Sequence, residues 1–571
     1  MASHSHIDPV RVAAFTMEVG LESALPTYSG GLGVLAGDTA RAAADLGLPF
    51  VMVSLLHRRG YFRQSLDAEG NQVEEDVEWA PEEFLQPLDP RVRIMVEGEP
   101  VSVRSWVYRI RGPGEAEVPV YLLDTDLPEN SAENRRITDH LYGGDRRLRL
   151  RQELVLGVAG VRMLRALKHD GIHTFHMNEG HSALLALELL REFGSGVGPD
   201  LDPAALQQAT EAVRTRCVFT THTPVPAGHD RFDLPLVEQV VGSERTGLLQ
   251  ASGVAEGGEV NLTAVALHFS RFTNGVALRH ARLSREMFPG RDIQPITNGV
   301  HAATWTGDAF RALFDRHLPG WRQDPYLLRH AVGIPLDDIR AAHSEAKEVL
   351  HREIRKRTGI DFRSDRLTMA FARRAAPYKR ADLLTSDLGR LRELAGKSGG
   401  LQIVYAGKAH PKDHAGKEMI RRVVAAGQEL GDDLPLVYLE DYDMDLGRLL
   451  ASGSDLWLNM PRKPLEASGT SGMKAALNGI PCLSILDGWW IEGHVEGVTG
   501  WAIDSGWDRP ADDAEELDLL LRKLEETVLP LYYDDPLGWA EVMRFAITLN
   551  GSHFHTRRML QEYVDRAYGM D

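Results

Sequence analysis

Cysteine is nearly absent from this sequence, which has only Cys217 and Cys482 among 571 residues. This scarcity excludes a disulfide scaffold and predicts two buried free thiols in a reducing compartment. Residues 1–10 lack the apolar core of a secretory leader. No segment approaches the roughly 18 consecutive apolar residues that cross a bilayer. We therefore expect a cytoplasmic protein that makes no membrane contact.

Basic residues are the minority among the charged ones. Lys and Arg number 64 against 82 Asp and Glu, which gives a formal net charge of -18. Such a surface repels phosphate backbones and anionic lipids, so nucleic acid is not an expected partner. A small anionic substrate would need a local basic pocket.

The chain is too long for one hydrophobic core, so at least two domains are expected. Short β-branched and aromatic runs alternate with helical patterns, which is typical of α/β proteins with parallel sheets. One series of predicted strands runs from residues 12–19 to 293–297, and another from 367–372 to 481–485. Helical patterns without partner strands close the chain, at 519–527 and 539–568.

These series predict an α/β fold of two doubly wound domains that face a cleft. We expect one domain in residues 1–305, a second in 306–540, and a final helix, 541–571, that packs back on the first. Ligands of open α/β sheets bind at the loops after the strands. The active site should therefore take residues from both halves of the chain.

Two glycine-containing turns lead into predicted helices. The first is Tyr28–Gly33, and the second runs from Glu466 to Lys474. Main-chain N–H groups at a helix start, with the positive end of the helix dipole, can bind an anion such as phosphate. The alternatives are a plain turn for the first and a helix cap with a solvated lysine for the second.

Four cations surround a Pro-Tyr turn directly after a predicted buried strand: Arg373, Arg374, Lys379 and Arg380. In an acidic chain this concentration favours phosphate recognition, because arginine and lysine both bind phosphate oxygens well. The alternative is a solvated basic loop.

Two histidine-containing segments, His176–His181 and Thr220–Pro224, also follow predicted strands. Polar groups at these positions suit the binding of a sugar. Metal ligation is the competing interpretation, but no HExxH or clustered Cys/His spacing supports it. No metal site is predicted.

Taken in chain order, these segments resemble the glycogen/starch (α-glucan) phosphorylase family in a short bacterial form. The motifs that carry the resemblance are SGGLG, FHMNEGH, THTP, ITNGVH, RxxxxYKR, GKA and EASGTSGMK. The resemblance extends from about Val12 to the last helices. It implies two Rossmann-like domains of the glycosyltransferase B type, which could assemble as a homodimer.

The resemblance also implies a reaction and a cofactor. Terminal α-1,4-linked glucose of an α-glucan or maltooligosaccharide would pass to inorganic phosphate, giving glucose 1-phosphate with retention. Pyridoxal 5'-phosphate would be held covalently by Lys474, and its phosphate would relay a proton to the substrate phosphate. Two adjacent phosphates repel each other, so cations and helix starts must surround them.

The implied residue roles divide by ligand. Arg374 and Lys379 would bind the substrate phosphate, with Gly31 and Leu32 offering main-chain N–H groups to the phosphates at the reaction centre. Thr470, Ser471 and Arg373 would contact the cofactor phosphate. The sugar and glucan side would be formed by His222, Glu466, Ser468, Gly469, His181 and Asn298.

Three positions depart from the pattern of the long family members. Arg373 stands where they have a lysine, Glu179 where they have an aspartate, and Gly472 where they have an asparagine near the cofactor. The rival interpretation is a nucleotide-sugar glycosyltransferase of the same fold, such as a glycogen synthase. Lys474 discriminates between the two, because a nucleotide-sugar enzyme needs no aldehyde-trapping lysine there. A non-catalytic glucan-binding protein is the third interpretation.

Overall fold

The computed structural model describes residues 10–194, 202–225, 228–397, 399–504 and 512–570. Residues 1–9, on which the expected lack of a leader rests, lie outside the described residues. In chain order the strands are β1 (Val12–Phe15), β2 (Phe50–Leu55), β3 (Arg63–Leu66), β4 (Gln72–Glu75), β5 (Gln86–Val96), β6 (Glu99–Arg111), β7 (Glu117–Asp124), β8 (Thr174–Asn178), β9 (Cys217–Thr220), β10 (Arg231–Asp233), β11 (Ala255–Glu256), β12 (Glu259–Asn261), β13 (Phe272–Gly275), β14 (Gln294–Pro295), β15 (Leu367–Ala372), β16 (Leu401–Ala406), β17 (Leu436–Leu439), β18 (Leu456–Asn459), β19 (Cys482–Ile485) and β20 (Gly500–Ile503).

Helices connect most of these strands. In chain order they are α1 (Gly31–Asp45), α2 (Arg146–Leu154), α3 (Gly160–Ala166), α4 (Leu185–Phe193), α5 (Pro203–Arg214), α6 (Leu234–Val241), α7 (Ser243–Ala251), α8 (Leu262–His268), α9 (Leu278–Met287), α10 (Ala302–Trp305), α11 (Asp308–His317), α12 (Leu336–Thr358), α13 (Leu388–Lys397), α14 (His414–Leu430), α15 (Met444–Gly453), α16 (Ser471–Leu477), α17 (Trp490–Gly493), α18 (Asp513–Lys523), α19 (Leu529–Asp534), α20 (Pro536–Phe545) and α21 (Thr556–Tyr563).

The larger sheet is mostly parallel. Its strand order is β14-β13-β9-β8-β1-β2-β7-β6-β5, and the strands from β14 to β7 run parallel. Read from β7 to β14 and numbered by their place in the chain, these seven strands have the order 3-2-1-4-5-6-7. That is the order of a doubly wound sheet, and it reverses between β1 and β8.

The smaller sheet repeats this order with parallel strands only. It reads β17-β16-β15-β18-β19-β20, so its order reverses between β15 and β18. Every residue of β15 and β16 is buried, as expected for strands covered by helices on both faces. The α/β class with parallel sheets is confirmed.

The apolar side chains form separate cores around the two sheets. One cluster lies around the smaller sheet and draws on residues from Val300 to Phe554, together with Val34. Two others cover the faces of the larger sheet, and one of them includes Met559 and Tyr568 near the C-terminus. Hereafter residues 10–299 are the N-terminal half and residues 300–570 the C-terminal half.

A hairpin of β3 and β4 connects the two halves. Gln72 Nε2 donates to Ala409 O at 2.9 Å, and Ala409 N donates to Gln72 Oε1 at 2.9 Å. Gln64 Nε2 donates to Gly407 O, also at 2.9 Å. Because Gly407 and Ala409 directly follow β16, the hairpin fixes the carboxyl end of this strand, next to Arg373.

Several boundaries differ from the sequence-based expectations. The strand expected over residues 12–19 ends at Phe15, and the one expected over 293–297 is only Gln294–Pro295. The long helix expected over 539–568 is interrupted between Gly551 and Thr556, and its continuations are π-helical. The antiparallel pair β5–β6 was not expected at all.

Two other expectations concern single features. Cys217 and Cys482 are both buried and free, so the prediction of two free thiols is confirmed. Across the described ranges, no helix is both long and apolar enough to span a membrane.

Candidate active site

Most of the sequence-predicted site residues follow the strands at the switch points of the two sheets, whereas His222 follows β9 and Asn298 follows β14. In the larger sheet, β1 leads to Glu18 and the glycine-rich turn, and β8 leads to Glu179 and His181. In the smaller sheet, β15 leads directly to Arg373 and Arg374, and β18 leads to the segment from Glu466 to Lys474. A crevice opens outside the carboxyl ends of the strands where the strand order reverses.

A buried carboxylate shapes the glycine-rich turn. Glu18 Oε2 accepts from Ser29 N at 2.6 Å and from Gly30 N at 3.3 Å, while Glu18 Oε1 accepts from the Tyr142 hydroxyl at 2.9 Å. Burial raises the pKa of Glu18, and these hydrogen bonds oppose that rise. A Cβ on Gly33 would lie 2.7 Å from Glu18 Oε2, so the turn needs glycine there.

The turn leaves the start of α1 accessible. Gly31 and Leu32 form its first turn, and the N-cap residue Gly30 supplies no side-chain acceptor. A Cβ on Gly30 or Gly31 would meet nothing within 4 Å. The helix start therefore borders open space, as the proposed contact with an anion requires.

Arg374 is the cation that remains unpaired beside this turn. Its side chain is exposed, and within the described part of the chain it forms no hydrogen bond or ion pair. Tyr61, Tyr142 and Glu18 of the N-terminal half lie close enough to act on its charge, as does Tyr378. Arg374 is thus a C-terminal-half cation that faces the N-terminal half.

Arg373 and Lys379 share one carboxylate. Glu466 Oε2 accepts from Arg373 Nη2 at 2.6 Å and from Lys379 Nζ at 2.5 Å. Although burial alone would raise it, the pKa of Glu466 is held at about 2 by these two cations. Glu466 Oε1 accepts no hydrogen bond from any described residue, so one oxygen remains for a ligand hydroxyl.

Lys474 lies in an apolar pocket between the halves. It is 8% exposed, and its Nζ lies 3.4 Å from the centroid of the Trp305 ring. Burial lowers the pKa of Lys474 to about 8, and Asp38 opposes this shift. Trp305 Nε1 donates to Asp38 Oδ2 at 2.7 Å, which connects this pocket to α1.

The residues before Lys474 form a tight turn. Gly469 has φ +74, and Ser468 O accepts from Trp489 N at 2.8 Å. Thr470 is the N-cap of α16 without a side-chain cap, and Ser471 Oγ accepts from Trp457 Nε1 at 3.1 Å. The main-chain N–H groups at the start of α16 therefore donate no hydrogen bond to the Thr470 side chain.

His222 is held in place by Glu179 and Asn178. Its ring Nε2 donates to Asn178 Oδ1 at 2.7 Å, and its main-chain N donates to Glu179 Oε2 at 2.7 Å. Burial lowers the pKa of His222 to about 3, so the ring is neutral near pH 7. Glu179 adopts φ +79, a strained conformation that tertiary contacts must maintain.

His181 and Asn298 occupy different surroundings from His222. His181 is 1% exposed and accepts from Met17 N at 3.0 Å, so it braces the chain just after β1. Asn298 is 5% exposed, and its Oδ1 is buried without a hydrogen-bond partner. An unsatisfied buried amide oxygen is a candidate acceptor for a ligand donor.

Comparisons with known proteins identify relatives of this chain. The family model for carbohydrate phosphorylases matches residues 242–497. A maltodextrin phosphorylase of Thermococcus litoralis is 37% identical, covering 97% of this chain and 70% of its own length. A glycogen phosphorylase of Aquifex aeolicus is 33% identical, covering 96% of this chain and 85% of its own length.

The chain belongs to the carbohydrate phosphorylase family. An uncharacterized protein of Methanocaldococcus jannaschii is also 32% identical over 97% of the chain and 99% of its own length. This phosphorylase chain therefore has a relative of similar length as well as longer ones.

The packing explains why this family member has glycine at position 472. A Cβ there would lie 2.7 Å from Trp489 Cζ2 and 2.9 Å from Cys482 Sγ. The Trp489 ring and Cys482 Sγ occupy the space that an asparagine side chain at position 472 would need.

Several residues around the site were missed by sequence reasoning. They are Glu18, Tyr61, Tyr142, Arg279 and Trp305. The position of Glu18 just after a strand was an available signal, but the strand was predicted to continue through it. The others lacked a signal, because their contacts join distant segments. The described residues contain no group of three or more His, Cys, Asp or Glu placed to hold a metal ion.

Proposed function

We propose that this phosphorylase removes terminal α-1,4-linked glucose from glycogen or maltodextrin with inorganic phosphate, giving glucose 1-phosphate reversibly. The proposal is carried by a buried lysine beside Trp305, together with an unpaired arginine next to the glycine-rich turn and the helix start that this turn leaves open. The names of the Thermococcus and Aquifex relatives support the same reaction.

Pyridoxal phosphate is the proposed cofactor, and the residues present fit it. Lys474 provides a buried amine without a hydrogen-bond partner in the described structure, with a pKa of about 8. A lowered pKa keeps part of the lysine neutral, as attack on an aldehyde requires. Thr470 and Ser471 would bind the cofactor phosphate through their main-chain N–H groups. When bound, the cofactor supplies a phosphate group that exchanges a proton with the substrate phosphate.

The cations of the site would bind and orient the substrate phosphate. Arg374 is free to form a bidentate contact, which suits a tetrahedral oxyanion. Lys379 and Arg373 would share their charge between Glu466 and the incoming phosphates. Gly31 and Leu32 would complete the anion site from the opposite side of the cleft with main-chain N–H groups.

The sugar would be held by residues on both sides of the cleft. Glu466 Oε1 would accept hydrogen bonds from its hydroxyls, and the main chain of Ser468 and Gly469 would form further hydrogen bonds with them. Neutral His222 would add a hydrogen bond without adding charge near the developing positive centre. His181 would act indirectly, by fixing the chain just after β1. Asn298 Oδ1 would accept a hydrogen bond from a ligand near the boundary between the halves.

We also propose a division into two Rossmann-like domains of the glycosyltransferase B type. The doubly wound strand order that the smaller sheet shares with the parallel part of the larger one, and their separate cores, support it. The core contacts favour a first boundary near Val300 instead of residue 305, and a return to the first domain after Phe554 instead of residue 540.

The nucleotide-sugar glycosyltransferase alternative is not favoured. The relatives with phosphorylase names cover nearly the whole chain, and a buried lysine at position 474 has no role in nucleotide-sugar transfer.

The test is a direct assay. The protein, supplied with pyridoxal phosphate, is incubated with maltoheptaose and inorganic phosphate, and glucose 1-phosphate is quantified. Lys474→Ala should abolish the product, and omission of phosphate should do the same. Lys397→Ala is the matched control, because that lysine is half exposed and pairs with Glu393 on the surface.

Each outcome separates one part of the proposal. Product formation that depends on phosphate and Lys474 but not on Lys397 supports the whole scheme. A folded protein that holds the cofactor but yields no product would redirect the search to another glycoside donor. Failure to bind pyridoxal phosphate would refute the proposed cofactor.

A further inference from the structure

The start of α9 lies between the two loops that are proposed to hold the transferred glucose. One loop contains His222 in the N-terminal half, and the other contains Glu466 in the C-terminal half. We infer that Arg279 and Asp487 are positioning residues that align the Glu466 loop with the N-terminal half. This inference rests on the proposed function, since it assigns Glu466 to the sugar.

Asp487 fixes the main chain of the Glu466 loop. Its side chain is fully buried, with Oδ2 accepting from Glu466 N at 3.0 Å and Oδ1 from Gly488 N at 3.0 Å. The next residue, Trp489, donates its main-chain N–H to Ser468 O at 2.8 Å. A Cβ on Gly488 would lie only 2.3 Å from Ser468 O, so the two segments pack backbone to backbone.

Arg279, in the N-terminal half, carries the charge opposite to that of Asp487. Its Nη1 lies 3.7 Å from Asp487 Oδ1, and in the described ranges its side chain makes no other ion pair or hydrogen bond. Glu492 also joins the two halves. Its side chain accepts from Leu278 N at 2.9 Å and from the Thr297 hydroxyl at 2.7 Å. The segment from Asp487 to Glu492 is thus docked on the start of α9 at two points.

The next residue of α9 reaches the His222 loop. His280 Nδ1 accepts from Val276 N at 3.1 Å, and the His280 ring also bonds the main chain of Thr223, the residue after His222. Adjacent residues of one helix therefore hold both loops. A rigid helix start between them would set the distance from His222 to Glu466.

Electrostatics explains why Arg279 is needed. Burial raises the pKa of Asp487 to about 6, and the charge of Glu466 adds to this rise. The hydrogen bond from Glu466 N, the charge of Arg279 and the hydrogen bond from Gly488 N oppose it, so the carboxylate stays ionised near neutral pH. Without Arg279 the carboxylate would be buried beside Glu466 with no cation of its own, which is a costly arrangement.

The experiment compares Arg279→Met, Arg279→Lys and Asp487→Asn with the control Arg282→Met. Arg282 lies on the same helix but is exposed and pairs with Glu286. Wild-type glucose 1-phosphate formation is measured first; if it is absent, the proposed function fails before this inference is tested. kcat, the KM of maltoheptaose and of phosphate, and the melting temperature are then determined for every variant.

Misplacement of Glu466 should reduce transition-state binding, so kcat and kcat/KM should fall together, by about tenfold or more in Arg279→Met and Asp487→Asn. Arg279→Lys should recover much of the loss, and Arg282→Met should equal the wild type. The double variant Arg279→Met/Asp487→Asn should lose little more than either single one, because the two residues act as one unit.

Wild-type kcat in both Arg279→Met and Asp487→Asn would overturn the inference. So would an equal loss in Arg282→Met, or a loss that follows the melting temperature and is not recovered by lysine. If Arg279→Met does not fold, the comparison of Arg279→Lys with Asp487→Asn decides, since both keep the side-chain size.

Discussion

At the scale of single residues, the contacts among the basic side chains of the site neutralise only part of their positive charge. Glu466 accepts from both Arg373 and Lys379, while Arg374 remains without an ion pair in the described structure. Of these three cations only Arg373 and Lys379 have a carboxylate partner, and they share it, so these contacts leave an excess of positive charge in a chain of net charge -18. That excess is what two neighbouring phosphates require.

Replacing Arg374 should weaken phosphate binding selectively. In Arg374→Met we expect kcat/KM for phosphate to fall by about 100-fold, because a charge-assisted bidentate contact to an oxyanion is lost. The KM of maltoheptaose should change little. Initial rates at varied phosphate concentration check this.

Arg462→Met is the control for Arg374, since Arg462 pairs with Asp513 at the surface. Equal phosphate affinity in Arg374→Met and the wild type would contradict the assignment.

Lys474 should take up pyridoxal phosphate faster as the pH rises. Burial lowers its pKa to about 8, so the neutral, nucleophilic amine increases through pH 8 and then reaches a plateau. The rate is measured by mixing pyridoxal phosphate with the apoprotein at pH values from 6.5 to 9.5 and following the absorbance of the cofactor as it binds. A rate still rising steeply well above pH 9 would show that the amine has an ordinary pKa.

At the scale of elements, α16 is positioned by the packing of its first turn. Gly472 lies against Trp489 and Cys482, with no room for a Cβ. Trp489 in turn bonds Ser468 O, so one aromatic residue supports both the sugar loop and the helix that carries Lys474.

Adding a methyl group at this contact should destabilise α16. Gly472→Ala should lower stability by about 1–3 kcal/mol, as overpacking of a close contact does, and should slow cofactor uptake. Thermal unfolding checks the first effect and cofactor absorbance the second. The double variant Gly472→Ala/Trp489→Ala should regain part of the uptake, because the closer of the two clashes is removed while the contact with Cys482 Sγ stays.

Gly247→Ala is the matched control within a helix. A Cβ on Gly247, in α7, would meet nothing within 4 Å, so that variant should be neutral or slightly stabilising. A Gly472→Ala variant as stable as Gly247→Ala would contradict the packing argument.

At the scale of the whole molecule, the cleft depends on contacts that join the two halves. The β3–β4 hairpin of the N-terminal half bonds Gly407 and Ala409 of the C-terminal half. Ala375 N donates to Lys408 O within the same segment. The hairpin therefore supports the loop that presents Arg374.

Removing Gln72 should loosen this contact. Gln72→Ala leaves the N–H and C=O of Ala409 without their partner, at a cost of about 1–3 kcal/mol for each group that stays buried. We expect faster hydrogen exchange at Ala409 and a higher KM for phosphate. Hydrogen-exchange mass spectrometry measures the first and steady-state kinetics the second.

Gln428→Ala is the control, since Gln428 also contacts the hairpin but only by an exposed bond of 3.3 Å to Ala68 O. Unchanged exchange at Ala409 in Gln72→Ala would show that the hairpin does not hold the loop.

Much of the fold could be predicted from the sequence, because its signals are local. The strands predicted at 367–372 and 401–406 agree with β15 and β16 to the residue, since continuous apolar runs mark strands buried on both faces. The β5–β6 pair was not predicted, and its turn is recognised from the backbone. The strands flank Glu97 and Gly98, whose positive φ values suit a two-residue hairpin turn.

The sequence by itself determined which chemistry is present, because lysine, arginine and glycine after buried strands mark the loops where α/β sheets bind ligands. It could not determine which residues meet. Glu466 and Arg373, the Glu18 contact with the glycine-rich turn, and Arg279 beside Asp487 are pairs between distant segments. Only the tertiary structure decides such pairs, because burial and charge act through space, whereas sequence patterns report neighbours along the chain.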